Sequence, residues 1–320
     1  MTTVGILSIG EMGMGIAKLL IANNYRVVSQ DTQDRAHKAH IETLPTDVSL
    51  VTQSDYILSI VPPGEALATA TRITAAFNAQ PTPKTTPLYF LDLNAISPRS
   101  AREIASLFSS STPSIRFVDG GIIGGPPSPK SNLDPLLKKS LTSQGETSRA
   151  WKRPSIPVSG QHKFDSLDAP ESGAHFAEVL NLNHISDDIG VASGLKCCFA
   201  SATKGFTALC IQAFTTANNL VPVPVAVPDL TDDANMSSTV PPKAYRWVRE
   251  MEEIAETHAD EGGFNGDIGI FGEIAKVYRS VADDTALGEE KTERRKRGLT
   301  IEDVASAMGD GSRAKKRKTE

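Results

Sequence analysis

Three glycines, Gly10, Gly13 and Gly15, follow directly on the apolar run Val4–Ile9 and lead into the apolar stretch Ile16–Leu20. Strand, glycine turn, helix is the context in which such spacing binds a dinucleotide. A glycine at 10 lets the backbone approach a pyrophosphate, and one at 13 lets the helix pack closely on the strand. The N–H groups that open the helix, in the stretch Gly10-Glu11-Met12-Gly13, then face the phosphate charge. Ser8 stands where the first glycine of this fingerprint normally makes the tight turn, so the motif alone is weak. A second signal supports it. The β-prone run Arg26–Gln30 ends in Asp31, twenty-one residues after Gly10. An acidic residue at that distance accepts a ribose 2′-OH and repels a 2′-phosphate, which favours NAD. Arg35 and Lys38 lie close by and are able to hold that phosphate, so NADP stays open. The bland alternative is a glycine turn in an ordinary βαβ unit, with Asp31 a solvated turn residue.

Further candidates sit at the ends of later apolar runs. Tyr56–Val61 stops abruptly at Pro62-Pro63-Gly64, and a rigid turn after a parallel strand is where a bound cofactor is touched, at Val61 and Pro62. Leu88–Leu93 leads into Asn94-Ala-Ile-Ser97-Pro98, where Asn94 and Ser97 either line the cofactor site or cap the next helix. Ile115–Val118 is followed by Asp119–Pro126 with four glycines, and Gly124 and Gly125 offer backbone N–H groups to an anionic substrate. His258 falls on an apolar helical face and reads as a core histidine. No His/Cys/Asp spacing suggests a metal, and no Gly-x-Ser-x-Gly suggests a hydrolase.

The elements that must position these residues alternate strand and helix up to about residue 160. This predicts an α/β protein: a Rossmann-type parallel sheet with helices on both faces, followed by an all-α carboxyl-terminal domain. The expected boundaries are a dinucleotide-binding domain over 1–187, a helical domain over 188–288, and a basic, disordered tail over 289–320 with one short helix at 300–308. Residues 127–154, rich in Pro, Ser and Lys, read as a surface insertion or disordered loop. The helical half follows from Ile189–Asn218, Ala244–His258 and Ile270–Ala282, each with apolar residues at helical spacing. At 320 residues the chain suits two domains, and its composition, 39% hydrophobic and 22% charged, is that of a soluble globular protein.

Residues 289–320 hold ten Lys/Arg against seven Asp/Glu, a net +3 that leaves −8 for the rest of a chain at −5. An acidic body argues against nucleic-acid binding, and no apolar run approaches a membrane span. Three cysteines, Cys197, Cys198 and Cys210, cannot all pair, and as reduced thiols they favour a cytoplasmic location. The basic runs Arg294–Arg297 and Lys315–Lys318 are of the kind that serve as a nuclear-import address or as solvated ends.

Four segments together resemble the β-hydroxyacid dehydrogenase family, which includes 6-phosphogluconate dehydrogenase. Gly10-Glu-Met12-Gly13-Met-Gly15 is similar to its fingerprint, and Asp92-Leu-Asn94-Ala-Ile-Ser97-Pro98 to its Asp-x-Ser-Thr-x-x-Pro segment. Asp119–Gly125 resembles its substrate-binding Asp-Ala-Pro-Val-Ser-Gly-Gly, and Gly190–Lys196 its Gly-x-Gly-x-x-x-Lys. Ala244–Ala255 resembles the branch with a phosphogluconate dehydrogenase-type carboxyl-terminal domain. The resemblance implies hydride transfer between NAD(P) and a small hydroxy acid or related carbonyl, with Lys196 as the group that exchanges the hydroxyl proton. It also implies a homodimer formed through the helical domain. The pattern departs in three places: Ile123 replaces the serine that holds a carboxylate, Ala200 replaces an asparagine, and Ala192 replaces the second glycine before the lysine. Thr203, close to the face of Lys196 and about 10 Å along a helix, is a substitute contact for an extended substrate, and Lys204 is a competitor for the proton-exchanging role. Two rival functions remain open at this level: an imine reductase on the same scaffold, and a dinucleotide-binding sensor without turnover.

Overall fold

The run Thr3–Leu7 forms the first strand, β1, every residue of it buried, because it lies inside a sheet covered on both faces. The computed structural model describes residues 1–30, 41–130, 150–165, 172–220, 241–290 and 295–319. The chain divides into two compact units, Met1–Lys196 and Cys197–Glu320.

In the first unit β1 is followed by α1 (Glu11–Ala22), β2 (Arg26–Ser29), β3 (Glu42–Thr43), α2 (Asp47–Gln53), β4 (Tyr56–Ser59) and α3 (Ala66–Asn78). Next come β5 (Leu88–Asp92), α4 (Pro98–Ser111), β6 (Ile115–Gly120), β7 (Ser128–Pro129), β8 (Trp151–Lys152), β9 (Ile156–Ser159), α5 (Gly173–Leu180) and β10 (Leu182–Ser186). Helix α6 (Val191–Leu220) starts in this unit. The sheet order is β10-β9-β6-β5-β4-β1-β2-β3. Strands β1 to β6 pair in parallel, and β6 pairs with β9 antiparallel. The expected Rossmann-type parallel sheet is present, with this one antiparallel junction inside it. Among the described residues, the link between β6 and β9 carries the short antiparallel ribbon β7–β8. Of 127–154, expected as a surface insertion or disordered loop, the described part holds these two short strands, and 131–149 lie outside the described residues.

Alternation along the strands builds two cores. Tyr56, Leu58, Tyr89 and Leu91 face α1 and α5, with Ile16, Leu20 and Phe176 among them. Ile57, Leu88 and Phe90 face the other side, with Leu50 of α2, Ile73 of α3 and Phe108 of α4. Period two in the strands and 3.6 in the helices thus place helices on both faces.

The second unit is helical: the body of α6, then α7 (Ala244–Asp260), α8 (Phe271–Asp283) and α9 (Ile301–Thr319). Cys197, Ala200, Ile211, Met251, Ile254, Tyr278 and Val281 form its core. The carboxyl-terminal helix is longer than the expected segment at 300–308, and Val304 and Met308 anchor it in that core. Among the described residues no helix is long and apolar enough to cross a membrane.

Candidate active site

The sheet's carboxyl edge carries the site. Register pairs Leu7 with Ser59, Ser59 with Asp92, Asp92 with Asp119 and Asp119 with Ser159, so one row crosses five strands. Four of its members are polar, and all four are fully buried. Buried polar groups persist only when paired, and these are.

The dinucleotide turn leaves β1 at Ser8, whose φ is +72°. This left-handed conformation is the one a glycine adopts without cost, which explains the usual residue there and makes serine strained. Gly13 is required by contact: a Cβ would stand 2.3 Å from the Ser8 carbonyl oxygen. Gly10, by contrast, is exposed and a Cβ on it would meet nothing within 4 Å. No side chain caps α1 at Gly10, and the N–H groups of such a helix start suit an anion. The fit to a pyrophosphate is good: an uncapped helix start, no side chain at residue 10, and close strand–helix packing at residue 13. Asp31 lies outside the described residues, as do Arg35 and Lys38.

Beside this turn runs the end of β4. The Ile60 N–H donates to the Leu7 carbonyl (3.2 Å), and the Val61 N–H donates to Asn94 Oδ1 (2.7 Å). Asn94 Nδ2 donates to Ser59 Oγ (3.0 Å) and Asp92 Oδ2 (2.9 Å), and its own N–H donates to Asp92 Oδ1 (3.0 Å). Asn94 is buried and holds the Val61-Pro62 turn from beneath. Ser97 caps α4, accepting from the Ser100 N–H at 3.2 Å.

Lys196 comes to the same edge on the second turn of α6. A Cβ on Gly121 would lie 2.6 Å from Lys196 Cβ and 3.1 Å from its Cγ, so the backbone after β6 presses directly on the lysine stem. Gly190, with φ +99°, has Pro98 Cβ 3.0 Å from where its own Cβ would be, so the helix start rests on α4. From Gly121 the chain passes Ile123, Gly124 and Gly125 to Pro126 and Pro127, which pack where a side chain on Gly15 of α1 would be, Pro127 Cδ at 2.9 Å. Gly124 and Gly125 are exposed and lie on the six-residue span between the lysine and the dinucleotide helix. The Ile123 backbone is paired with Ser155 in both directions (2.8 and 3.0 Å).

Thr203 belongs to the other unit, and its hydroxyl donates back to the Phe199 and Ala200 carbonyls of its own helix. Lys204 is ion-paired with Glu250 and lies over the Trp247 ring, 4.6 Å from its centroid, as part of the helical unit's own packing. Burial pushes the Cys197 thiol up to about 12, which fits the inert core thiol expected there. Sequence reasoning quoted Asp92 and Asp119 only inside motifs and gave Ser59, Ser159 and Ser193 no part. A signal was present: Leu-Tyr-Phe-Leu-Asp92 and Ile-Arg-Phe-Val-Asp119 are apolar strands that each end in a carboxylate.

A doubly covered parallel sheet with an open helix start after β1 and a lysine held at its carboxyl edge defines an NAD(P)-binding protein of the hydroxyacid dehydrogenase fold. Residues 3–131 match the family described as the NAD binding domain of 6-phosphogluconate dehydrogenase. Residues 226–281 match a domain of unknown function, DUF1932. Solved structures with the same fold include a 3-hydroxyisobutyrate dehydrogenase from Salmonella typhimurium, with TM-score 0.63 and 16% identity, covering 96% of this chain and 99% of that one. The Mycobacterium tuberculosis 3-hydroxyisobutyrate dehydrogenase has TM-score 0.57 and 18% identity, covering 96% and 98%. A conserved hypothetical protein from Sinorhizobium meliloti has TM-score 0.54 and 20% identity, covering 97% of each chain. Among curated proteins no relative matches this chain.

Proposed function

We propose that the protein is an NAD(P)-dependent oxidoreductase that interconverts a small hydroxy acid, or a related alcohol, and its carbonyl compound. The observation that supports this most is the lysine stem pressed against Gly121, on the strand end whose next residues dock against the dinucleotide helix at Gly15. The N–H groups of the Gly10–Gly13 turn would hold the pyrophosphate, the Val61-Pro62 turn would border the nicotinamide end, and Asp31 would take the ribose 2′-OH of NAD. The nicotinamide, when bound, supplies hydride acceptance or donation. Lys196 takes the hydroxyl proton as the alcohol is oxidised and returns it to the oxygen as the carbonyl is reduced. Gly124 and Gly125 offer N–H groups to a substrate anion.

One observation favours substrates without a carboxylate at the usual place. Ala200 is buried in the helical core, and Ile123 brings an alkyl group to the substrate segment. A cyclic imine is therefore the second reading.

The test is a panel of hydroxy acids, sugar acids, simple alcohols and cyclic imines with both cofactors, followed by the absorbance of the reduced nicotinamide. Turnover that Lys196→Ala removes while NADH binding persists supports the reading. Turnover retained by that variant refutes the role of Lys196. Binding of NADH without turnover of any compound makes the protein a sensor.

A homodimer through the helical unit is part of the same proposal. Phe199, Ala202, Phe206 and Leu209 are exposed on α6 at spacings of three and four, the repeat by which one helix packs along a second copy of itself. Sedimentation should give a dimer that Phe206→Glu dissociates; a monomeric parent protein would refute it.

A further inference from the structure

Helix α6 starts without a capping side chain of its own. The N–H groups of Val191, Ala192 and Ser193 precede the first ladder bond, from the Gly194 N–H to the Gly190 carbonyl, and Gly190 has no side chain to offer. The acceptors come instead from two strands. Asp119 Oδ2, at the end of β6, accepts from the Gly190 N–H (3.0 Å) and the Ser193 N–H (3.1 Å), and Oδ1 accepts from the Ser193 hydroxyl. Ser159, at the end of β9, donates its hydroxyl to Asp119 Oδ2 (2.8 Å) and accepts from the Ala192 N–H (3.1 Å). Asp119 is fully buried. A carboxylate in that setting needs positive compensation, and the start of a helix provides it.

The same strand end fixes the helix twice. Asp119 binds Ser193, three residues before the lysine, and Gly121, two residues after Asp119, bears on the lysine stem itself. We propose that Asp119 is the positioning residue for Lys196: its carboxylate caps α6 from β6, setting where the lysine amine stands and how firmly it holds its proton. This rests on the reading of Lys196 as the proton-exchanging group. Asp119 is too enclosed, and too fully engaged, to touch substrate. Its effect passes through the helix turn and through its buried negative charge, which favours the ammonium form of a nearby lysine.

The test uses the full chain with its lysines reductively methylated with ¹³C-formaldehyde. The Lys196 resonance is assigned by its loss in Lys196→Arg. Asp119→Asn keeps the shape and removes the charge, so the Lys196 midpoint should fall by about half a pH unit or more. Turnover of whichever substrate the panel identifies should fall about tenfold or more, with NADH affinity within about twofold of the parent. Ser193→Ala removes one of the two groups that Ser193 gives to the carboxylate and should produce a smaller change in the same direction. It also serves if Asp119→Asn does not fold. A Lys196 midpoint and turnover equal to the parent's, with only thermal stability lowered, would overturn the proposal and leave Asp119 a structural cap. Failure of the underlying reading looks different: Lys196→Ala would then keep its turnover, whatever the methyl resonances show.

Discussion

The contact between Gly121 and Lys196 allows a sharp test of where the lysine must stand. In Gly121→Ala the new methyl carbon would lie 2.6 Å from Lys196 Cβ. Carbon atoms rest at about 3.5–4.0 Å, so about 1 Å must be found. Lys196 Cβ has no rotamer with which to yield, since it is fixed by the helix backbone. The helix start in turn is tied to Asp119 and Ser159 and seated on Pro98. The lysine-bearing turn must therefore retreat as a body, or the strand end must. Overpacking of this kind costs about 1–3 kcal/mol. The larger effect falls on rate, because a displacement of about 1 Å at a reacting group is worth about a hundredfold. Steady-state assays on the purified variant should show kcat reduced by about that factor, while NADH titration, which reads the Gly10–Gly13 turn, stays within about twofold. A folded Gly121→Ala with kcat within about threefold of the parent would refute the reasoning, since the lysine would then not need its present place.

Other positions make independent demands. Gly13→Ala sets a methyl group 2.3 Å from the Ser8 carbonyl oxygen, so NADH affinity by fluorescence titration should fall at least about tenfold. Ser8→Gly relieves a left-handed serine and should raise the melting temperature by about 2 °C without weakening cofactor binding. Asn94→Ala strips partners from the Val61 N–H, Ser59 and Asp92 together, and should cost about 1–3 kcal/mol or more in denaturant titration. His162 is held below its ordinary value of 6.5, first by burial and then by Arg116. The unfolded chain therefore binds the proton more readily, so stability should fall as pH drops below about 6.5, until the folded histidine is itself protonated. His162→Gln should flatten that acid limb of the melting temperature, and an unchanged limb would refute the assignment.

Much of the first unit was legible because its signals are local. The apolar runs that became β1, β4, β5, β6 and β9, the turn at Ser8–Gly13 and the break at Pro62-Pro63 each declare themselves within a few residues. What escaped reading depends on partners far away in sequence. Strand β3 is two residues long and exists by pairing with β2, and β10 has its side chains only partly covered, so neither shows an apolar pattern. The antiparallel turn of β9 is a consequence of how the chain returns from Gly120, and composition does not encode direction. The long carboxyl-terminal helix was masked by its charge, because a few buried residues such as Val304 and Met308 suffice to dock it. Within the site, the lysine was singled out by the resemblance and the glycines by motif spacing. The network that places them was not, since hydrogen bonds from Asp119 to Ser159, Gly190 and Ser193 join residues 40 to 74 positions apart.

That network suggests why the edge of this sheet is polar while its interior is not. Each strand end must hand the chain to an element whose first N–H groups need acceptors, and water is excluded by the helices on either side. Asp92 meets this need for the turn at Asn94, Ser97 for α4, and Asp119 with Ser159 for α6. Substitutions in the row therefore act on fold and site together, because the groups that stop the strands are the ones that start the helices bearing chemistry. Ile123 and Ala200 lie outside the row, one with its backbone already paired and the other sunk in the helical core. A change at Asp119, by contrast, disturbs the start of α6 together with the end of β6.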